Sequence, residues 1–182
     1  MYLDNLSKRN NCFLPTVGAQ HQYKMDIMSQ PFLYSVEREF PVTIETLWSA
    51  WTDAKKLEDW YHGTLHSSTK GATRSELRIG GLWSCGVDVP EYNFVAYFFG
   101  KYTRIEALKL IEHTLHYTQS KDEFDAKNFE TPSHLIVLDF EDRGNSSWVK
   151  FSQFGELPEG QASQAQAGME SYLDSLAQFL AN

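Results

Sequence analysis

Ser163-Gln164-Ala165-Gln166-Ala167-Gly168-Met169-Glu170-Ser171-Tyr172-Leu173-Asp174-Ser175-Leu176-Ala177-Gln178-Phe179-Leu180 is the most regular stretch of the chain. Ala165, Met169, Tyr172, Leu173, Leu176 and Leu180 recur at the i, i+3, i+4, i+7 spacing, which puts them on one stripe of a helix. Ser163, with Gln166 three residues on, has the capping-box pattern and predicts the helix start. A helix with one apolar stripe is stable only against a surface that buries the stripe. The residues upstream must supply that surface.

Working back toward the N-terminus, the segments 147–154, 134–142, 108–117, 94–105, 82–89 and 76–79 all read as strands. Turn signals lie between several of them: Gly80-Gly81, Pro90 and Asp142-Arg143-Gly144-Asn145. Consecutive strands with short connections predict an antiparallel meander. Two short helices should precede it. Thr43 is a plausible N-cap for Ile44, Leu47, Trp48 and Trp51, and a second helix over residues 55–61 offers Leu57, Trp60 and Tyr61. Before them, residues 32–40 alternate as one more strand ended by Pro41, with Phe32, Tyr34, Val36 and Phe40 on one face. Arg38 is the one polar residue on that apolar face. The expected class is α+β: a curved antiparallel sheet of about six to seven strands covered by the long C-terminal helix, with two short helices after the first strand.

Residues 1–29 differ from the rest, showing neither helical nor strand periodicity. They read as a flexible extension or as an upstream-start artefact, since Met25 and Met28 sit just before the first regular segment. Residues 30–182 then form one domain, as the length of 182 residues allows. The longest apolar run, residues 94–99, is far short of the ~20 residues a membrane helix needs. The net charge is −8 with no basic cluster, which argues against nucleic-acid binding. Two cysteines, Cys12 and Cys85, make no disulfide framework and point to a reducing, cytoplasmic compartment. Asp122, Glu123, Asp125, Glu130, Asp139, Glu141 and Asp142 stand against Lys127 alone; they read as a solvated loop and strand end, or as a docking face for a basic partner.

Several pieces resemble a known family. They are Leu47-Trp48-Ser49-Ala50-Trp51-Thr52-Asp53, Leu57 to Trp60, and Leu77-Arg78-Ile79-Gly80-Gly81-Leu82-Trp83. The strand start Gly100-Lys101-Tyr102, the segment Leu108 to Thr114, and Leu157-Pro158 leading into Gly168 to Leu176 complete the set. Their order over residues 33–181 resembles the START-like (SRPBCC, helix-grip) superfamily. Within it the chain is similar to single-domain proteins like the C-terminal domain of the activator of heat shock protein 90 ATPase. Two positions depart from the pattern: Met169 stands where a Trp is common, and no proline follows the Gly100 strand. The resemblance implies a sheet gripping the last helix, with an apolar cavity between them that takes a hydrophobic small molecule. It also implies, as a second possibility, contact with a heat-shock chaperone ATPase.

The cavity candidates are Trp60, Trp83, Cys85, Phe99, Tyr102, His113, Trp148, Met169 and Tyr172. The chain carries 12 Phe, 9 Tyr and 5 Trp, and rings of this kind either wall a pocket or fill a core. Chemistry is weakly marked. His62 and His66 lack further ligands for zinc. His113 and His116 are an odd number of residues apart on one strand, so they face opposite sides. His113 alone could serve inward as a polar handle or a general base. Cys85 has no neighbour that would lower its pKa and reads as a small hydrophobe. Gly80-Gly81 reads as a turn rather than a phosphate loop. The expectation is a non-catalytic binding domain with no metal and no cofactor. An ATPase activator and a cyclase- or dehydratase-like enzyme are the alternatives.

Overall fold

In the computed structural model, which describes residues 30–182, strand β1 (Phe32–Phe40) opens the domain. Thr43 caps α1 (Ile44–Thr52), its hydroxyl accepting from the Thr46 amide at 3.4 Å. The Asp53 carboxylate then accepts from the amides of Lys55 and Lys56 and starts α2 (Ala54–Trp60) without a linker. Two-residue strands β2 (Ser67–Ser68) and β3 (Arg74–Ser75) precede the long strands β4 (Leu82–Val89), β5 (Phe94–Glu106) and β6 (Leu110–Thr118). A short helix α3 (Lys121–Ala126), then β7 (His134–Asp142), β8 (Ser147–Phe154) and α4 (Gln161–Leu180) complete the order.

The sheet runs β1-β8-β7-β6-β5-β4-β2, with β3 also paired to β4, and every pair is antiparallel. From β4 to β8 it is a plain meander; only β1 reaches across the chain, matching Phe32 to Phe154 and Glu39 to Trp148. Helices α1, α2 and α4 lie on the inner face. Met169, Leu173 and Leu176 of α4 join Leu47, Trp51, Leu57, Trp60, Trp83, Ile136 and Leu138 in one core. Arg38 has its reason here: β1 lies beside α4, and the guanidinium pairs with Asp174 at 2.7 Å and Glu170 at 3.5 Å.

The structure corrects three local expectations. Residues 76–79 are a turn, not a strand: the Glu76 amide donates to the Leu82 carbonyl and the Gly81 amide to Arg78. Gly80 takes φ 76° there, which glycine adopts without steric cost. Helix α4 begins two residues before Ser163, from Gly160 and without a side-chain cap, because the Gln161 amide bonds back to the Pro158 carbonyl. The acidic run is not one loop: α3 lies within it, capped by Ser120, and its Phe124 packs on the outer face of β5 against Tyr97 at 4.6 Å. The expectations on residues 1–29 lie outside the described residues. No helix among the described residues is long and apolar enough to cross a membrane.

Candidate functional site

The inner face of β4, β5 and β6 is set by side-chain alternation. Trp83 and Cys85 of β4, Tyr102 of β5 and His113 of β6 point the same way, with Tyr102 directly opposite His113 in the ladder. Across from them stand Tyr61, which ends α2, and Met169 and Tyr172 of α4. The rings touch in sequence. His113 stacks on Trp83 at 4.4 Å; Tyr61 meets Trp83 edge-on at 5.6 Å and Tyr172 at 5.0 Å; Trp60 meets Tyr61 at 5.3 Å and Trp51 at 4.6 Å. Edge-on geometry places the positive rim of one ring on the negative face of the next. The Trp60 indole donates to the Ala50 carbonyl at 2.8 Å, which fixes α2 against α1.

Burial governs the electrostatics. The His113 Nδ1 lies 2.9 Å from the Thr114 carbonyl and so carries the proton, leaving Nε2 as an acceptor. Desolvation pushes the imidazole pKa down to about 4, so the ring is neutral near pH 7. Burial raises the hydroxyls of Tyr61, Tyr102 and Tyr172 above the usual phenol range, and raises the Cys85 thiol likewise. The thiol is therefore protonated and a poor nucleophile. The Tyr102 hydroxyl is held by Ser75 at 2.8 Å. Among the described residues no Asp or Glu is buried, so the polar groups of this cluster are neutral donors and acceptors.

Seven of the nine sequence candidates meet here: Trp60, Trp83, Cys85, Tyr102, His113, Met169 and Tyr172. Phe99 and Trp148 do not. Phe99 is an odd number of residues from Tyr102 and faces outward, stacked on His116 at 5.0 Å and edge-on to Phe129 at 5.6 Å. Trp148 alternates with the inward Val149 and Phe151 and lies outside, with the Arg143 guanidinium 5.4 Å from its ring. Tyr61 is the residue that sequence reasoning missed. Its signal was its place directly after Trp60, at the point where α2 ends and the chain turns over the sheet.

The other candidates separate. His62 bonds the Gly63 carbonyl through Nδ1 while His66 meets Glu91 at 2.7 Å, so the two histidines have different partners. No group of three or more metal-ligating side chains occurs among the described residues. The acidic residues divide between the α3 end of β7 and the β7–β8 turn, where Asp125 pairs with Lys121 and Glu141 with Arg143. They do not form one face. Two clefts open on the surface away from the ring cluster, one beside the C-terminal end of α4 and one beside α2.

Comparison with known proteins agrees with this architecture. The AHSA1 protein of Silicibacter pomeroyi superposes with a TM-score of 0.67 at 18% identity, covering 81% of this chain and 96% of that one. A solution structure from Staphylococcus epidermidis gives 0.61 at 26% identity, with 81% and 88% covered. DynU16, a protein of the dynemicin biosynthetic locus, gives 0.58 at 14% identity, with 81% of this chain and 46% of that one covered. None of the curated proteins matches the chain significantly. The family model described as "Activator of Hsp90 ATPase homolog 1-like protein" matches residues 41–181. With that match over most of its length and a sheet that grips a C-terminal helix, the chain belongs to the Activator of Hsp90 ATPase homolog 1-like family, on the START-type fold.

Proposed function

We propose that this domain is a non-catalytic holder of a hydrophobic, ring-bearing small molecule, taken up between the inner sheet face and α4. The observation that carries the reading is the make-up of that interface. Trp83, Tyr61, Tyr102, Tyr172 and His113 stand where Leu and Val would fill a core more simply, and each brings a neutral polar group. Apolar walls with a few placed polar groups are what a small-molecule site needs. Uptake requires α4 to shift, because the rings pack on one another. The polar contacts that hold α4 from the side are exposed ones, Arg38 to Asp174 and the Thr64 amide to Ser171, and such contacts open at small cost. We place the protein in the cytoplasm, where Cys85 stays reduced.

Activation of a heat-shock chaperone ATPase is a weaker reading, because the acidic residues that would form its docking face are dispersed. An enzymatic reading rests on the His113 Nε2 alone. Native mass spectrometry of freshly purified protein tests the proposal: a bound mass that is released on denaturation is expected, and its amount should fall in Met169→Trp, whose larger ring takes up volume the ligand would need under α4. Absence of any bound mass, together with no saturable quenching of tryptophan fluorescence by flat hydrophobic ligands, would overturn it. Stimulated chaperone ATPase in a mixture with the purified domain would favour the activator reading instead.

A further inference from the structure

The cleft beside the C-terminal end of α4 is separate from the ring cluster. It has a volume of about 230 Å³ and is lined by Asp59 of α2, His62 and Thr64 of the following loop, and Ser175, Gln178, Phe179 and Asn182. Its chemistry is one-sided. Asp59 brings a carboxylate that forms no ion pair among the described residues. His62 gives its Nδ1 proton to the Gly63 carbonyl, so its Nε2 is an acceptor. The cleft lies at the negative end of the α4 helix dipole. No lysine or arginine lines the cleft.

Ser175 supplies the second observation. It is 6% exposed and its hydroxyl has no hydrogen-bond partner. A buried hydroxyl without a partner costs stability, and so calls for an explanation. A serine inside a helix can satisfy itself by bonding back to the carbonyl four residues earlier; this one does not. A ligand seated in the cleft would satisfy it. The Phe179 ring offers an apolar or cation–π wall on the same side.

We propose that this cleft binds a small organic ammonium group, with Asp59 as counter-ion, Ser175 and the His62 Nε2 as acceptors, and Phe179 against its carbon stem. The volume accommodates a primary amine of a few carbons rather than a large ring. Lys55, one turn before Asp59 on α2, shares the neighbouring cleft with it but forms no ion pair with it, so among the described residues no side-chain cation neutralises this carboxylate.

Amide NMR shifts on the full chain, with n-butylammonium as probe and butyrate as control, test the site. The expected result is saturable shifts confined to residues 59–64 and 175–182, weakened about three- to fivefold in Asp59→Asn, the factor an exposed ion pair contributes. Ser175→Ala should weaken binding about threefold without unfolding the domain, because its hydroxyl forms no internal bond that would be lost. Equal shifts with butyrate, an unchanged titration in Asp59→Asn, or no saturable shift up to about 50 mM would each overturn the proposal.

Discussion

The His113 imidazole is neutral because the protein leaves it no water, and that neutrality has a thermodynamic consequence. Its pKa falls from an ordinary 6.5 to about 4 on folding, so the unfolded chain binds the proton more readily than the folded one. Stability held by this residue is therefore complete above about pH 6.5 and is lost as pH falls toward 4. The loss amounts to about 3 kcal/mol at the one-unit rate of ~1.4 kcal/mol. Urea midpoints measured at pH 7 and pH 4.5 should fall more steeply in the native sequence than in His113→Phe, which has no titrating ring. His116, buried against Phe99 and likewise shifted down by desolvation, contributes in the same direction. The comparison must therefore be between the variant and the native chain, not with a flat baseline. Equal slopes would show that the imidazole is solvated in solution.

Among the elements, β5 and α4 each contain a glycine, one at a close approach and the other beside open space. A side chain on Gly100 would place its Cβ 1.7 Å from the Thr114 carbonyl oxygen across the β5–β6 ladder. Gly100→Ala must push the two strands apart and should cost more than about 3 kcal/mol, read from chemical denaturation or loss of soluble protein. Gly168, inside α4, has nothing within 4 Å of the place its Cβ would take, so Gly168→Ala should stabilise by about 0.5–1 kcal/mol through helix propensity. These opposite signs are not legible in sequence, where both are glycines in regular elements. Much else is. The period-two alternation of residues 32–40, 134–142 and 147–154 defines β1, β7 and β8 to the residue, because one face is buried and the other is not. Helix α3 escapes, since six residues with a single large apolar side chain show no period; its one signal is Ser120 followed by Asp122 and Glu123. The site was half legible for a similar reason. The odd spacing that sends His113 and His116 to opposite faces also separates Phe99 from Tyr102. Trp148 could be placed only with the inward Val149 and Phe151 known, which depends on where β8 pairs.

For the molecule as a whole, the inner core closes only when α4 arrives. Met169, Leu173 and Leu176 are 5%, 0% and 0% exposed, and burying three such side chains is worth about 6 kcal/mol. That is comparable to the entire stability of a typical domain, about 5–15 kcal/mol. A chain ended before Gln161 should therefore lose its cooperative unfolding transition and bind a hydrophobic dye, measured by thermal scanning and dye fluorescence; a sharp transition in that truncation would show that the sheet is self-sufficient. The pairing of β1 with β8 carries the order of events further, into synthesis. Tyr34 bonds Gln153, 119 residues downstream, and at about 5–20 residues per second a ribosome takes on the order of ten seconds to cover that distance. Throughout that interval β1 has left the exit tunnel with neither its ladder partner nor the helix that Arg38 grips. The meander from β4 to β7 can assemble meanwhile from neighbouring strands, whereas the first strand waits with its hydrogen-bonding edge open. Nascent chains of this protein are thus most exposed to holding chaperones and to mispairing just before β8 emerges.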